Sequence, residues 1–473
     1  MTIKEAANQN SGFQYVVESL ELLAGVSRRI LYNTDFSADP MALQKQWDDT
    51  EFLLRTLKQD CDTGAVRSLG HSLMQVRDIS TTLRNCGNGV VLDDIQLFEI
   101  KNFSMLCSKI RADVETLDLN RIVDIGDFTH VVSLLDPDRT GVPHFYIYDS
   151  YDSRLPQIRR ELRALQAGNA GGTENPRLAE LWQQNADMEN DIRTKLSETL
   201  QPFAGQLVDT LQKIGDFDIL LAKARLAMNE NLCKPAVSEK VDFQGLFNMR
   251  LRNLLKEQQL EFQPVDIESD HGLCLVTGAN MAGKTVLLKS LGTAQLMAQF
   301  GFFVPARKAD IPLVDDVVFC IGDEQDEMNG LSSFASEILK INKIIERAKN
   351  EKLLVLIDEP ARTTNPVEGM AIVKAVAVFL SRRDSFSFMT THYSGLNVDC
   401  KKLRVRGLRK DIEDLETVTP QNINSFIDYT LVEDSSENVP REAIRIAEIF
   451  GFDRNVLENA KEFLGKQSGK QLR

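Results

Sequence analysis

The sequence predicts a helical first half joined to an α/β second half. Three observations carry that reading. From about 12 to 130 apolar residues recur at three- and four-residue steps. From 271 onward strand-like apolar runs alternate with helical ones, the signature of a parallel sheet. Between the two, residues 278–285 read Gly278-Ala279-Asn280-Met281-Ala282-Gly283-Lys284-Thr285, a complete G-x-x-x-x-G-K-[ST] loop.

In the first half, Val16, Leu20, Leu23, Val26 and Ile30 fall on one face of a single helix. Similar stripes run through Leu53, Leu54 and Leu57, and through Leu97, Ile100, Phe103 and Cys107; all read as core packing. Residues 137–156 break the pattern with Pro137, Gly141 and Pro143, then Phe145-Tyr146-Ile147-Tyr148, which predicts a short hairpin or extended crossover. After a loop at 168–176, Leu178, Leu181, Met188, Ile192, Leu196 and Leu200 outline one long helix that ends or kinks near Pro202. A further helix covers about 204–230, and 232–270 leads into the second domain. The expected division is therefore 1–231 and 232–473.

The phosphate loop has the setting its chemistry needs. An apolar run at 273–276 precedes it and helix-compatible residues at 286–291 follow. Gly278 and Gly283 let the backbone N–H groups of Ala279, Asn280, Met281 and Ala282 approach phosphate oxygens, and the helix N-terminus adds partial positive charge. Lys284 supplies a cation for the β- and γ-phosphates of ATP, and the Thr285 hydroxyl can ligate Mg²⁺. A chance glycine turn is the bland alternative, and the strand–loop–helix context sets it aside.

Residues 352–359 form a buried strand ending in two carboxylates, and the C-terminal tip of such a strand is where open α/β sheets bind ligands. Asp358 can orient Mg²⁺ through its water shell, and Glu359 can polarise an attacking water as general base. The same pair could be an exposed turn, but the upstream loop favours catalysis. A second strand over 385–391 ends at His392, either a surface residue or, beside the 358 tip, a sensor of the γ-phosphate. The segment 329–337 opens a helix running to about 349. Ser332 or Ser333 there either caps the helix or faces a γ-phosphate held by a second subunit.

Composition narrows the classes. The chain of 473 residues carries a net charge of −14, which weighs against strong non-specific DNA binding without excluding a basic stripe. The first ten residues have no signal-peptide core, and no charge-free apolar run spans a bilayer; 286–304 comes closest but holds Lys289 and Gln295. Seven scattered cysteines without a C-x-x-C pair suggest reduced thiols of a cytoplasmic protein. The five widely separated histidines make no metal cluster.

Together these pieces resemble the MutS family of ABC-type ATPases. Residues 278–285 are similar to its G-P-N-M-x-G-K-[ST], with the Asn-Met pair a distinguishing detail. Gly301-Phe302-Phe303-Val304-Pro305-Ala306 looks like its G-x-[FY]-V-P-A, and 321–326 and 331–334 like its I-G-x-x-D-D and R-S-T-F. Asp358-Glu359 and Thr391-His392-Tyr393 stand where it has D-E and T-H-[YF], and Phe262-Gln263-Pro264 looks like its adenine-holding element. The resemblance implies an α-helical lever/core domain, an α/β P-loop ATPase domain and a small helical C-terminal dimerisation segment at 426–473. It also implies a head-to-tail dimer of ATPase domains, homodimer or heterodimer, in which Ser332 and Ser333 act across the interface.

The sequence also departs from the family. Its D-E-[ILM]-G-R-G-T appears as Asp358-Glu359-Pro360-Ala361-Arg362-Thr363-Thr364, with both glycines replaced, followed by Asn365-Pro366. Lever helices begin within about the first fifteen residues, leaving no room for the mismatch-reading and connector domains. No Phe-x-Glu wedge occurs in these residues, and no nuclease-like tail is expected. A reduced DNA clamp would be confined to about 140–200.

Two functions follow. The first couples ATP-driven clamp motion to mismatched, branched or recombining DNA. Its only phosphate-contact candidates are Lys401, Lys402, Arg404, Arg406, Arg409 and Lys410, read here as a solvated turn. The second is an ATP-dependent remodeller of a protein partner, such as a reactivating factor for an adenosylcobalamin-dependent aminomutase. The altered 360–366 loop and acidic charge suit it. Neither reading involves a membrane.

Overall fold

A computed structural model describes residues 1–59, 64–168, 175–279, 282–322, 333–393, 395–409, 422–434 and 443–468. It shows a helical bundle, a mixed α/β domain of phosphate-loop type and a small C-terminal helical segment.

By contacts the chain forms two compact units that do not follow a single cut near 231. One comprises 1–20, 34–48 and 226–473, and the other 21–33 and 49–225. The first twenty residues join the α/β unit because their aromatics pack there. Phe13 stacks on Phe300 at 5.2 Å and meets Phe302 edge-on at 6.2 Å, while Thr293 donates to Asn10 Oδ1 at 3.1 Å.

The single helix expected over 16–30 is interrupted. One helix, Ser11–Glu18, stops short and another, Ser27–Tyr32, starts after eight intervening residues. In between, the N–H groups of Leu23 and Ala24 donate to the Asp218 carboxylate, each at 2.9 Å, and Ser27 Oγ joins them at 2.6 Å. Backbone groups taken by a buried carboxylate cannot continue a helix.

Within the helical unit, helices Asp94–Thr116 and Pro176–Leu200 start where their caps dictate. Asp93 and Gln96 form a reciprocal capping box, and Asn175 precedes a proline in the first turn. The long helix gives way to a 3₁₀ turn, Gln201–Phe203, at Pro202, and helix Ala204–Glu230 follows.

Of the hairpin or extended crossover expected over 137–156, no hairpin forms; the segment holds the 3₁₀ turn Asp149–Tyr151 and the start of the helix Leu155–Gly168. Side chains occupy the groups a strand would pair. Asp136 accepts from the Gly141 N–H at 2.9 Å and the Thr140 hydroxyl at 2.8 Å. Buried Lys101 donates to the His144 carbonyl and the Tyr148 hydroxyl, both at 2.8 Å, and pairs with Asp136 at 3.2 Å.

Among the described residues the α/β unit carries ten strands: β1 Ala236–Val237, β2 Val241–Leu246, β3 Val265–Ser269, β4 Gly272–Thr277, β5 Lys308–Ile311, β6 Asp316–Cys320, β7 Leu353–Ile357, β8 Phe386–Thr390, β9 Lys401–Leu408 and β10 Ile427–Glu433. A small sheet has the order β1-β5-β2-β3, and the main sheet β10-β9-β4-β8-β7-β6. In the main sheet all neighbours are parallel except the β9–β10 pair. Strands β7 and β8 are wholly buried, β7 as its continuous apolar sequence requires.

Two expectations fail in this sheet. The basic run 401–409 is a strand, β9, with Leu403, Val405 and Leu408 buried; alternation rather than turn chemistry governs it. The segment expected to be helical from 426 instead forms β10 from Ile427, paired antiparallel to β9. Helices Ala443–Ile449 and Arg454–Ser468 follow.

Candidate nucleotide site

Strand order builds the site. The phosphate loop leaves the tip of β4, Asp358 and Glu359 leave β7, and β8 lies between them. Residues 73 apart in sequence thus meet: Thr285 Oγ1 donates to Asp358 Oδ2 at 2.6 Å. Lys284 begins the helix Lys284–Gln299, and Gly283 before it holds φ 75°. That left-handed conformation suits a residue without Cβ, and a Cβ there would also stand 3.0 Å from the Tyr429 ring.

Lys284 is almost fully buried. Its ammonium donates to the carbonyls of Gly278 at 2.8 Å and Ala279 at 3.0 Å and lies 3.2 Å from Glu359. Arg362, largely exposed, approaches the other Glu359 oxygen at 4.0 Å.

The central strand supplies a residue the sequence reading passed over. Buried Thr390, at the tip of β8, donates to Asp358 Oδ1 at 2.5 Å and accepts the Glu359 N–H at 2.9 Å. A threonine ending a buried strand just ahead of Thr391-His392 was the available signal, but its meaning depends on strand order. His392 itself is exposed, its ring 4.3 Å from that of Tyr393, and it is not among the residues lining the cavity.

These groups open into a cavity of 1440 Å³. Ala282, Gly283, Lys284, Thr285, Asp358 and Glu359 line one part, and Phe262, Gln263 and Tyr429 another. Gln263 fastens that second wall: its amide donates to Asp428 at 3.1 Å and accepts the Tyr429 N–H at 3.2 Å. Burial raises the Tyr429 hydroxyl above its usual pKa. Burial also opposes ionisation of Asp428, but hydrogen bonds from Thr430, Gln263 and Arg406 prevail and hold it well below the carboxylate range. Tyr429 is therefore part of the cavity wall.

Of the remaining expected residues, Asn280, Met281 and Ser332 lie outside the described residues. Ser333 opens the helix Ser333–Arg347. The basic strand is partly neutralised: Arg406 lies 3.3 Å from Asp428 and Arg404 3.7 Å from Asp434. Lys410 is outside the described residues.

A glycine-lysine-threonine loop at the tip of a central parallel strand, with an acidic pair brought to it from a second strand, defines a P-loop nucleotide-binding protein. The model for MutS domain V matches residues 274–467. The DNA mismatch repair protein MutS of Methanosarcina mazei is 26% identical over 479 residues, covering 95% of this chain and 51% of that protein. Endonuclease MutS2 of Thermus thermophilus is 36% identical over 222 residues, 47% of this chain and 29% of its own. Endonuclease MutS2 of Carboxydothermus hydrogenoformans is 30% identical over 337 residues, 68% and 40% respectively. The chain carries a MutS domain V and belongs to the MutS family. It spans from 24% to 55% of the length of these and the other relatives compared. Among the described residues no helix is long and apolar enough to cross a membrane.

Proposed function

We propose that this protein binds and hydrolyses ATP and uses the cycle to drive a MutS-like dimer clamp. One observation carries the reading: Lys284 and Thr285 of the phosphate loop meet Glu359 and Asp358, at 3.2 and 2.6 Å respectively. The phosphates would lie along the loop, with the base against Phe262, Gln263 and Tyr429. Thr285 and Asp358 present the hard oxygen donors Mg²⁺ prefers, and Thr390 fixes the carboxylate, so the donor set fits that ion. When bound, Mg²⁺ neutralises phosphate charge; Thr285 would ligate it directly and Asp358 through water.

The protein's own groups do the rest. Lys284 would exchange the carbonyls of Gly278 and Ala279 for phosphate oxygens, stabilising charge on the transferring group. Glu359, relieved of that ion pair, would accept a proton from the attacking water. His392, on the segment after β8, would complete the site from the γ-phosphate side. Ser332 and Ser333 would serve the partner's nucleotide.

The substrate coupled to this cycle is read first as mismatched, branched or recombining DNA, on the strength of relatives named DNA mismatch repair protein and endonuclease. A protein partner is the second reading. The pairing of Arg404 and Arg406 with Asp434 and Asp428 favours it, since those arginines are the sequence's main candidates for phosphate contact. A cytoplasmic setting suits both.

Steady-state ATP hydrolysis, with and without mismatched and branched DNA at low salt, tests both levels. Lys284→Ala should abolish turnover, and Glu359→Gln should retain ATP while hydrolysing it at least about 100-fold more slowly. Wild-type turnover in both variants would refute the site. Stimulation by DNA that fades as salt rises supports the first substrate; turnover indifferent to DNA supports the second.

A further inference from the structure

The segment behind Glu359 is held in an unusual shape. Glu359 has φ 43° and Ala361 φ 59°, two non-glycine residues in the left-handed region within three positions. That conformation is unfavourable for a residue with a Cβ, so the turn persists only where its surroundings impose it. Family members with glycine at the Ala361 position would adopt the shape freely; here it is enforced.

The enforcing contacts come from three elements. Thr390 accepts the Glu359 N–H at 2.9 Å. The Ala361 N–H donates to Glu337 Oε1 at 3.1 Å, from the helix Ser333–Arg347. The Ala361 carbonyl accepts from the Tyr393 hydroxyl, also at 3.1 Å, from the segment after β8. Ala361 is fully buried, so neither its N–H nor its carbonyl has water as an alternative.

The seat is shaped for that hydroxyl. Gly369 lies in the helix Pro366–Leu380, and a Cβ there would stand 2.3 Å from Tyr393 Oη and 3.1 Å from the Ala361 carbonyl oxygen. Glu337 also lines the nucleotide cavity, and its half-buried carboxyl is raised above its usual pKa by burial, against the opposing pull of the Ala361 N–H.

We propose that Glu337 and Tyr393 are positioning residues that clamp the Ala361 peptide from both sides and thereby aim the Glu359 carboxylate at its water. The inference rests on reading Glu359 as the base. It assigns to these two side chains a kinetic role that a simple structural turn would not have: they act on the chemical step and only through Glu359.

The test uses the full chain and measures ATP turnover and ATP affinity separately. Glu337→Ala and Tyr393→Phe should each lower kcat by about 10- to 100-fold, as expected for a displaced catalytic group, with KM within about twofold of wild type. Glu337→Gln keeps a carbonyl oxygen for the Ala361 N–H and should restore most of the lost kcat. In a Glu359→Gln background neither substitution should lower the residual rate further. Full turnover in both variants, a loss confined to KM, or an equal loss without Glu359 would overturn the clamp while leaving the ATP site standing. A wild-type protein that neither binds nor hydrolyses ATP would instead remove the reading beneath it. If Glu337→Ala fails to fold, Tyr393→Phe, which removes one oxygen, decides the matter.

Discussion

Replacing Thr390 by valine deletes one buried hydroxyl and keeps the shape of the side chain. That hydroxyl serves two masters: it donates to Asp358 at 2.5 Å and accepts the Glu359 N–H at 2.9 Å. A hydrogen bond to a charged group contributes about 1.5–3 kcal/mol, and a buried donor left without its acceptor costs about 1–3 kcal/mol. The two losses share one atom and overlap, so about 3 kcal/mol is the expected total. The chain's two tryptophans make the measurement clean, because Trp47 is buried in the α/β unit and half-exposed Trp182 belongs to the helical one. In a Trp182→Phe background, fluorescence follows the α/β unit alone. With a urea slope of about 3 kcal/mol/M, Thr390→Val should lower the midpoint by about 1 M. Hydrogen exchange at the Glu359 amide should quicken in parallel. An unchanged midpoint together with unchanged exchange would show that the β8 tip does not anchor the acidic pair.

Two further substitutions probe other parts of the fold. Asp136 is buried, which opposes its ionisation, yet hydrogen bonds from Gly141, Thr140 and Lys101 bring its pKa down from 3.8 to about 2. Because the folded value is the lower one, the stabilisation is complete above the unfolded value and is lost as pH falls from about 4 to about 2, about 2 kcal/mol in all. Read through Trp182 in a Trp47→Phe background, the Lys101→Met, Asp136→Asn double variant should lose that much less stability over the same window; an identical acid profile would contradict the assignment. Gly272, at the start of β4, has φ 90°, and a Cβ there would stand 3.1 Å from the Ser381 carbonyl. Gly272→Ala should therefore cost about 1–2 kcal/mol at the Trp47 probe, and a midpoint at or above wild type would show that the strand start relaxes freely.

What the sequence disclosed follows from how local each feature is. The phosphate loop, the acidic pair and the helix Pro176–Leu200 are set by neighbours within a few residues, through glycine conformation, continuous burial and capping, so their patterns survive in one dimension. The features it concealed depend on distant partners. The break after Glu18 depends on Asp218, 194 and 195 residues from the N–H groups it receives. The run 401–409 looked like a solvated turn because its charges dominate the composition, whereas Leu403, Val405 and Leu408 alternate into a sheet that only strand order reveals. Thr390 is the sharpest case. Its place at the end of a strand just ahead of Thr391-His392 marks it only weakly, and it gains its position only because β8 enters the sheet between β4 and β7. The same insertion places Tyr393 against Ala361, two residues beyond the acid it would aim. The motif thus supplies the reacting groups, while their alignment is delegated to a strand that carries no motif before its tip. Variation along β8 and its exit should therefore alter turnover while leaving every motif residue intact, which is why Tyr393→Phe is a more demanding test of this site than removal of Lys284.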